Sequence, residues 1–406
     1  MNKWQSIFFK IILLLAGQMY SSLSPEYIYP IGPVLFEEEE KICTLYQSGT
    51  HLELLLWDPI THTVMRGLSH YMPAGLAILP SQQAFSFIDH ERIRIKELSK
   101  KSPKALDLNP LYDFSILHWI DDSNCYCSAR ERRHFNLFHI TTEGDFYHLT
   151  RSSDNHYTYP QKIESMLFYI KKNEQTKQYS IEKTVYPEKE IADTNACIAE
   201  LSQSDKWSLK KIECANQEIN KEFPLNPIEE LFVSTQKALS FLTMTSSNNG
   251  YFLQHTDHPF SNSADKTMSF ECWNLHQNAT GRWETTLLFT FVVPLSFLYG
   301  EKRLYESILR VTPLYLLEMI FFVTMDALGN LDVYRYKKSD GSMTCCTSMT
   351  SEHCFFTPIL YRDTIICGGM VKPQEEDGTI EPHKHPSIFI DQYGEEKITF
   401  YEISNR

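Results

Sequence analysis

The sequence lacks the features of several large protein classes. It has no Gly-X-Y repeat, no heptad array and no apolar run of twenty residues, which excludes collagen, a coiled coil and a polytopic membrane protein. Basic residues are in deficit: 38 Lys and Arg stand against 51 Asp and Glu, for a formal charge of −13. Nucleic-acid binders need a basic surface to neutralise phosphates, so we expect no nucleic-acid partner.

Short catalytic motifs are missing as well. No Gly-x-Ser-x-Gly, P-loop, GxGxxG or HExxH pattern occurs, and the ten cysteines include no CxxC pair. These absences remove the usual signatures of hydrolases, nucleotide binders, metallopeptidases, thioredoxin-like proteins and zinc knuckles. We therefore expect no cofactor and name no catalytic residue, although a site built from scattered loop residues would leave no motif.

The chain is rich in apolar and aromatic residues. Of its 406 residues, 42% are hydrophobic, 13% are aromatic and 22% are charged. This composition supports a large core and is too apolar for a mainly disordered chain. Short β-type runs separated by polar turns indicate a folded, β-rich protein.

Residues 1–24 have the layout of a secretory signal peptide. Lys3 and Lys10 give a positive start, an apolar stretch and then small and polar residues follow, and no acidic residue precedes Glu26. This layout predicts export to the periplasm or the medium. Pro25 is a poor neighbour for a cleavage site, so an uncleaved N-terminal anchor stays open. We expect no further membrane span.

The cysteines fit an oxidising compartment without proving one. Cys125 and Cys127 lie two residues apart in an apolar run, so they share one face of a strand and are expected to be small buried side chains. Cys197 and Cys214 bracket a polar segment and are better disulfide candidates. The sequence does not give the connectivity.

A repeat of about forty residues is the main architectural signal. Three pairs of short β-type runs begin at residues 84, 125 and 166, each 41 residues after the last. The pairs are Ala84–Asp89 with Arg92–Leu98, Cys125–Arg130 with Phe135–Ile140, and Met166–Ile170 with Tyr179–Thr184. Similar pairs are Lys41–Tyr46 with Leu52–Trp57, and Ile320–Met325 with Leu331–Tyr336. This period predicts four-stranded blades around an axis, a β-propeller. A β-sandwich would explain the short strands but not the period.

The spacing favours seven blades, with six possible if two units merge. The units lie near residues 36–68, 74–108, 113–150, 157–186, 236–291, 311–347 and 353–402. We expect one propeller domain over residues 25–406, in which the last run, Lys397–Glu402, completes the first blade. Residues 187–226 break the period and are interpreted as an insertion, with a helical pattern over Ile191–Leu201.

Two segments, within residues 76–170, resemble the WD40-like repeats of the TolB propeller and its relatives. The matching residues are Trp119, Asp122, Gly144, Leu149 and Thr150 in one repeat, and Pro80 in the turn of the one before it. Neither turn has the family's full Pro-Asp-Gly, and the units after residue 186 match only in outline. The resemblance implies a propeller fold and, for exported bacterial members, a periplasmic scaffold. It carries over no catalytic residue.

Two histidine clusters are weak candidates for a metal site. His383 and His385 would share a face if their segment is extended, and Glu381 and Asp391 lie nearby. No third ligand has a recognisable spacing, so solvated loop histidines are the ordinary outcome. The segment from His255 to His258 is another short polar loop without a motif.

Other segments are assigned structural roles. The apolar run Thr286–Tyr299 is too short to span a membrane and is predicted to be a buried strand with a bend at Pro294. The acids at turns, Asp121, Asp122, Asp326 and Asp332, are expected to serve the backbone hydrogen bonds of their own turns.

The sequence favours an exported, non-catalytic propeller that acts as a protein-binding scaffold in the periplasm or cell envelope, with an envelope or secreted protein as partner. Its rigid ring and variable loops suit the display of binding residues, and its acidity favours basic or polar partners. The alternative is a propeller-based hydrolase or lyase with a site of face-loop histidines and acids. A third reading is a purely structural surface protein held by an uncleaved N-terminal segment.

Overall fold

A computed structural model describes most of the chain, and every regular element among the described residues is a β-strand. The described residues are 26–48, 51–58, 64–69, 74–89, 92–99, 104–106, 114, 117–131, 133–150, 152, 154–186, 228–256, 267–294, 312–326, 331–347, 353–355, 358–362, 364–367, 369–371, 384–391 and 396–402. Within these ranges no helix is long and apolar enough to cross a membrane. The signal-peptide segment 1–24 and the insertion 187–226 with its helical pattern lie outside them.

The strands form six hydrogen-bonded sheets, and the fold is a β-propeller with six blades when each sheet counts as one blade. Five sheets have four antiparallel strands each, and the sixth has ten. The ten-stranded sheet contains two four-stranded meanders joined by two short strands. The favoured number of seven blades is therefore wrong and the alternative of six is correct, because the predicted units 36–68 and 311–347 belong to the same sheet.

The chain divides into two compact units, one of which comprises residues 35–37 and 73–312. This unit holds four of the four-stranded sheets, each a meander of consecutive strands. The first sheet contains β5 (Ala74–Ile78), β6 (Ala84–Asp89), β7 (Arg92–Glu97) and β8 (Lys104–Leu106), and the second β9 (His118–Trp119), β10 (Asn124–Glu131), β11 (His134–Thr141) and β12 (Phe146–His148). The third contains β13 (Asn155–Ile163), β14 (Met166–Asn173), β15 (Tyr179–Val185) and β16 (Ile228–Ser234), and the fourth β17 (Ala238–Ser246), β18 (Asn249–His255), β19 (Thr267–Gln277) and β20 (Trp283–Pro294).

The other compact unit comprises residues 1–34, 38–72 and 313–406. Its ten-stranded sheet contains β1 (Glu26–Phe36), β2 (Glu39–Ser48), β3 (His51–Trp57), β4 (Val64–Ser69), β21 (Leu314–Tyr315), β22 (Met319–Met325), β23 (Leu331–Lys337), β24 (Met343–Cys345), β25 (His353–Phe355) and β28 (Gly369–Val371). Its four-stranded sheet contains β26 (Ile359–Tyr361), β27 (Thr364–Cys367), β29 (Lys384–Asp391) and β30 (Glu396–Glu402).

The predicted role of the last run is wrong. Lys397–Glu402 falls in β30, which pairs with β29 and not with the first blade. The strand that pairs with β1 is β28, where Glu26 faces Val371 and Tyr27 faces Met370. A sheet edge is satisfied by any strand of suitable register, so the apolar pattern alone did not identify the partner.

Alternating apolar residues on the middle strands build the core between sheets. In β10 and β11, Cys125 lies opposite Ile140 and Cys127 opposite Phe138, and all four side chains are buried in one hydrophobic cluster. This arrangement confirms the prediction that the two cysteines share one face as small buried side chains. The same cluster contains Trp119, one of the residues behind the family resemblance.

The residues of the resemblance also connect neighbouring sheets. The indole N–H of Trp119 donates to Ser86 Oγ on β6 at 2.8 Å. The Asp122 carboxylate accepts from the backbone N–H of Ser81, in the turn before β6, at 2.9 Å. Asp121 instead accepts from the N–H groups of its own turn, as expected for a turn acid.

A second repeated feature closes the hairpin between the third and fourth strands. Thr150 Oγ1 accepts from the backbone N–H of Leu137 at 2.9 Å, and Thr347 Oγ1 accepts from that of Val333 at the same distance. A glycine with positive φ lies six residues before each threonine: Gly144 has φ 96° and Gly341 has φ 69°. The glycine and the threonine of the first hairpin, Gly144 and Thr150, therefore recur as Gly341 and Thr347, with Cys346 in the place of Leu149.

Candidate functional site

The structure describes the histidine candidates only in part. His385 lies on β29 opposite Tyr401, and His383 falls outside the described ranges. His255 ends β18, where its Nδ1 is 2.9 Å from the carbonyl of Thr256. Asp257 and His258 fall outside the described ranges. No group of three or more His, Cys, Asp or Glu side chains within those ranges is placed to hold a metal ion.

The seven cysteines whose side chains are described are free thiols. Burial raises the pKa of the Cys43 thiol to about 12 and raises that of Cys127 further, so both are protonated at neutral pH and poor nucleophiles. The disulfide candidates Cys197 and Cys214 lie outside the described residues.

A polar side-chain network centred on the buried His139 joins the second sheet to Tyr186. His139 Nε2 is 2.8 Å from Asn124 Oδ1, and its Nδ1 is 2.9 Å from the hydroxyl of Tyr186. The Asn124 amide donates to both carboxylate oxygens of Asp121 at 3.0 Å, so Asn124 Oδ1 is left to accept from His139. The network therefore assigns the proton to Nε2, with the Tyr186 hydroxyl donating to Nδ1. The ring stacks on Tyr126 at 4.9 Å.

The surroundings of His139 fix its charge state. Burial lowers the pKa of His139 to about 4, with nearby Asp121 opposing the shift and Lys162 adding to it. The ring is thus neutral at pH 7, and both nitrogens already have partners. A general base needs a free lone pair within reach of its substrate, so this network stabilises the fold instead of offering a base.

The third sheet holds a buried ion pair. Glu182 Oε1 accepts from Lys171 Nζ at 2.8 Å and from Ser180 Oγ at 3.1 Å. Tyr169 lies opposite Glu182 in the strand register, and burial followed by the Glu182 charge raises the pKa of its hydroxyl. Lys171 neutralises the carboxylate, so the group is a structural ion pair, and among the described residues Glu182 Oε2 and the buried Tyr169 hydroxyl accept or donate no hydrogen bond.

An exposed surface lies where β15, β16 and β20 meet. We call it the outer patch; its exposed side chains are Val185, Ile228, Glu229, Glu230, Glu284 and Leu287, which the strand register divides between the two faces of β16 and of β20. Ile228 lies opposite Thr184 at the end of β15. Lys183 Nζ contacts Glu229 Oε2 at 2.8 Å and stands 5.2 Å above the Trp283 ring, which brings the start of β20 beside β15 and β16.

The apolar members of the outer patch are unusually open to solvent. Val185 is 45% exposed, Ile228 52% and Leu287 44%. They are the only exposed large hydrophobic side chains among the described residues of this unit, because the other three, Leu317, Met343 and Leu360, belong to the other unit. The patch also carries three exposed glutamates, so it is both apolar and acidic.

The prediction of a buried strand over Thr286–Tyr299 is correct for the strand up to Pro294 and for the burial of Phe289, Phe291 and Val293, and wrong for other residues of the strand; residues 295–299 lie outside the described ranges. β20 ends at Pro294, but Thr286, Leu287 and Thr290 are exposed. β20 is the last strand of its sheet, so only one of its edges meets another described strand. An apolar run does not distinguish a central strand from an edge strand, and sequence reasoning missed Leu287 for that reason.

Solved structures support the fold. No family model matches the sequence, and no curated protein sequence matches it. A puromycin-hydrolyzing peptidase from Mycobacterium tuberculosis matches with a TM-score of 0.55 and 8% identity over 93% of this chain and 53% of that one. An oligogalacturonate lyase from Vibrio parahaemolyticus matches with a TM-score of 0.50 and 8% identity over 95% of this chain and 92% of that one.

These similarities show the propeller fold alone. The chain spans about half the length of the peptidase structures it matches. A protein described as TolB from Agrobacterium tumefaciens is also similar, with a TM-score of 0.39 and 13% identity over 66% of this chain and 89% of that one, a likeness too low to carry an argument. At such identities the likeness shows the propeller fold, which hosts unrelated functions.

Proposed function

We propose that this protein is an exported, non-catalytic propeller that binds another protein through the outer patch. The observation that carries the proposal is the exposure of Val185, Ile228 and Leu287, the exposed large hydrophobic side chains among the described residues of their unit, on β15, β16 and the neighbouring edge strand β20. Exposed apolar side chains that lie together beside polar residues are typical of protein interaction sites. Single exposed hydrophobic residues, by contrast, are common and need no partner.

The compartment belongs to the same proposal. Lys3, Lys10 and the apolar stretch that follows have the layout of a signal peptide, which supports a periplasmic or cell-envelope location and an envelope or secreted partner. The formal charge of −13 favours a partner with a basic or polar surface.

The test is affinity capture of the tagged full chain from cross-linked cells, with the N-terminus of the captured protein read by mass spectrometry. We expect a reproducible envelope protein whose recovery falls at least tenfold in Ile228→Glu. Leu317→Glu is the matched control, because it places the same charge on a leucine that is 88% exposed in the other unit. Equal recovery with both variants would contradict a role for the outer patch. An N-terminus that still includes residues 1–24 in a cytosolic protein would contradict export.

A propeller enzyme is the second candidate, a hydrolase or lyase with a site of face-loop histidines and acids. The observation behind it is that a propeller matching 95% of this chain accounts for 92% of the length of the oligogalacturonate lyase, so a fold of this size can hold a complete lyase. Incubation of the full chain with oligogalacturonate, followed by ultraviolet detection of unsaturated products, tests it. Product formation that His385→Ala removes would favour this candidate over the scaffold.

A further inference from the structure

Two side chains complete the edge of β11 where β12 is too short to pair with it. β12 ends at His148. Beyond that point the backbone N–H of Leu137 donates to Thr150 Oγ1 at 2.9 Å, and the N–H of Phe135 donates to His156 Nδ1 at 3.2 Å. The two N–H groups share one edge, because residues two apart along a strand direct them to the same side. Phe135 belongs to the second sheet and His156 to the third, so this imidazole links two sheets of one compact unit.

Both ring nitrogens of His156 have partners. Nδ1 accepts from a backbone N–H, so the proton of the neutral ring lies on Nε2. Nε2 is 2.8 Å from Glu174 Oε1, in the turn between β14 and β15, and donates to it. A second proton can be added only at Nδ1, where it would face the N–H of Phe135, donor against donor. Protonation therefore breaks the bond to the second sheet and strengthens the bond to Glu174.

The segments packed against the His156 ring carry both signs of charge. Their described charged and titratable side chains are Arg133 and His134 at the β10–β11 hairpin, Lys172 on β14, Glu174 and Lys177 in the β14–β15 turn, and Asp154 just before β13. The His134 ring centroid lies 5.1 Å from that of His156, and Lys172 is the partner of His156 in the strand register. Lys177 Nζ is 3.0 Å from the second carboxylate oxygen of Glu174.

These surroundings determine the pH range in which the ring titrates. Burial lowers the pKa of His156 from its ordinary 6.5, Glu174 opposes the shift, and His134 and Lys172 add to it. The folded chain thus binds the proton less readily than the unfolded one. The link between the sheets is therefore complete above pH 6.5 and is lost as the pH falls through the lowered pKa.

We propose that His156 is an acid-sensitive link between the second and third sheets, whose protonation releases the N–H of Phe135 while the bond to Glu174 remains. The neighbouring bond from Leu137 to Thr150 contains no group that titrates in this range, so it stays closed. Acid therefore loosens the contact between the sheets at the β10–β11 hairpin, while β11 stays paired with β10. The link contains no residue of the outer patch, so the inference does not depend on the proposed function.

The test is NMR-detected hydrogen exchange of single backbone amides in the full chain at pH 7.5 and at pH 5. We expect the protection factor of the Phe135 amide to fall about tenfold relative to that of Leu137 between the two pH values. Leu137 is the internal control, because a global loss of stability, such as one caused by the buried His139, exposes both amides alike. The nitrogen-15 shifts of the His156 ring should show the form protonated on Nε2 at pH 7.5.

Variants test the two bonds of His156 separately. His156→Gln can offer the Phe135 N–H a carboxamide oxygen that does not titrate, so the ratio of the two protection factors should no longer change with pH. Glu174→Gln keeps an acceptor for Nε2 but removes the charge that favours the protonated ring, and should lower the midpoint of the His156 titration by about half a pH unit. Glu143→Gln is the matched control, because Glu143 lies in the turn at the other end of β11 and should leave the midpoint unchanged.

Three results in the exchange experiment would overturn the inference: an equal loss of protection at Phe135 and Leu137, constant protection of Phe135 while the His156 ring titrates, or the same pH dependence in His156→Gln. The first would mean that acid acts on the whole unit, and the other two that the imidazole does not hold the Phe135 N–H. A ring protonated on Nδ1 at pH 7.5 would contradict the inference as well.

Discussion

The sheet β9–β12 and the meander β21–β24 can be compared position by position, because in each the residues just after the fourth strand are hydrogen-bonded in the same way to the third strand. Leu137 and Val333 donate to Thr150 and Thr347, and the backbone N–H of the residue before each threonine returns a bond of 2.9 and 2.8 Å to the same strand. The side chains beside these bonds differ. The Thr150 hydroxyl lies 3.5 Å from Asn136 Oδ1, whereas that of Thr347 donates to Asp332 Oδ1 at 2.9 Å. The two meanders therefore share the backbone hydrogen bonds and differ in the side chain beside them, which is the neutral Asn136 in one and Asp332 in the other.

Removing the hydroxyls of Thr150 and Thr347 should produce the largest difference in stability between the two meanders. Thr347→Val removes the partner of the buried N–H of Val333 and one hydrogen bond to the buried Asp332 carboxylate, and should reduce the free energy of unfolding by about 3 kcal/mol. Thr150→Val loses its N–H bond and only a long contact to a neutral amide, and should cost about 1.5 kcal/mol. Denaturant unfolding measures both. The serine variants, which keep the hydroxyl, serve as controls, and equal losses for the two valines would show that Asp332 adds nothing.

Low pH should destabilise the sheet β9–β12 through His139, because the corresponding position of the other meander holds a residue that does not titrate in this range. Counting from Asn136 and Asp332, His139 corresponds to Arg335. Burial holds the pKa of His139 at about 4, below its ordinary value of 6.5, so the unfolded chain binds the proton more readily than the folded one. The stability from a neutral His139 is therefore complete above pH 6.5 and is lost as the pH falls toward 4.

The measurement compares the free energy of unfolding at pH 7 and pH 5 for the wild type and for His139→Gln. The wild type should lose about 2 kcal/mol more than the variant over this interval. Arg335→Gln is the comparison in the other meander, and it should leave the difference between the two pH values unchanged, because arginine does not titrate there. An identical pH dependence in wild type and His139→Gln would mean that the histidine is not held neutral.

The smallest effects are expected at the two hairpin glycines. An added Cβ would meet nothing within 4 Å at Gly144 and only the Tyr336 hydroxyl at 3.8 Å at Gly341, so backbone strain alone sets the cost. Alanine at either position should reduce the free energy of unfolding by about 1 kcal/mol. Asparagine should restore more at Gly341, whose φ of 69° lies near the left-handed region, than at Gly144, whose φ of 96° lies beyond it. Thermal unfolding of the four variants would check this order.

The strand pairs were predictable because their chemistry is local. Alternating apolar residues gave β6 with β7 and β10 with β11, and a period of 41 residues repeats them. The closing signature was missed in the second meander because Cys346 stands where the first has Leu149, and the threonine that makes the hydrogen bond follows a residue type outside the expected pattern. Thr347 accepts from the backbone N–H of Val333, and a backbone donor cannot be recognised from the residue type.

The outer patch could not be predicted, because it depends on which strand ends a sheet. Leu287 belongs to an apolar run that resembles a buried strand, and its exposure follows from the place of β20 at the end of the sheet order. Left-handed backbone in Tyr159 and Phe241, at φ 53° and 54°, accompanies register shifts in β13 and β17 and was equally invisible. The exposure of Leu287 and the left-handed residues both depend on how strands are arranged in and between sheets, where tertiary context overrides local preference.

The connection between β15 and β16 has a consequence for the order of folding. These neighbouring strands are separated by 42 residues, whereas β14 and β15 are separated by five. Closing the longer connection costs about 2 kcal/mol more in chain entropy, so β13, β14 and β15 are expected to assemble before β16 joins them. During synthesis, β15 would be the temporary edge of the third sheet until Ile228–Ser234 is made. The fourth sheet of the unit begins only a few residues later, at Ala238. Assembly of two neighbouring blades would thus be tied to the arrival of a single seven-residue strand.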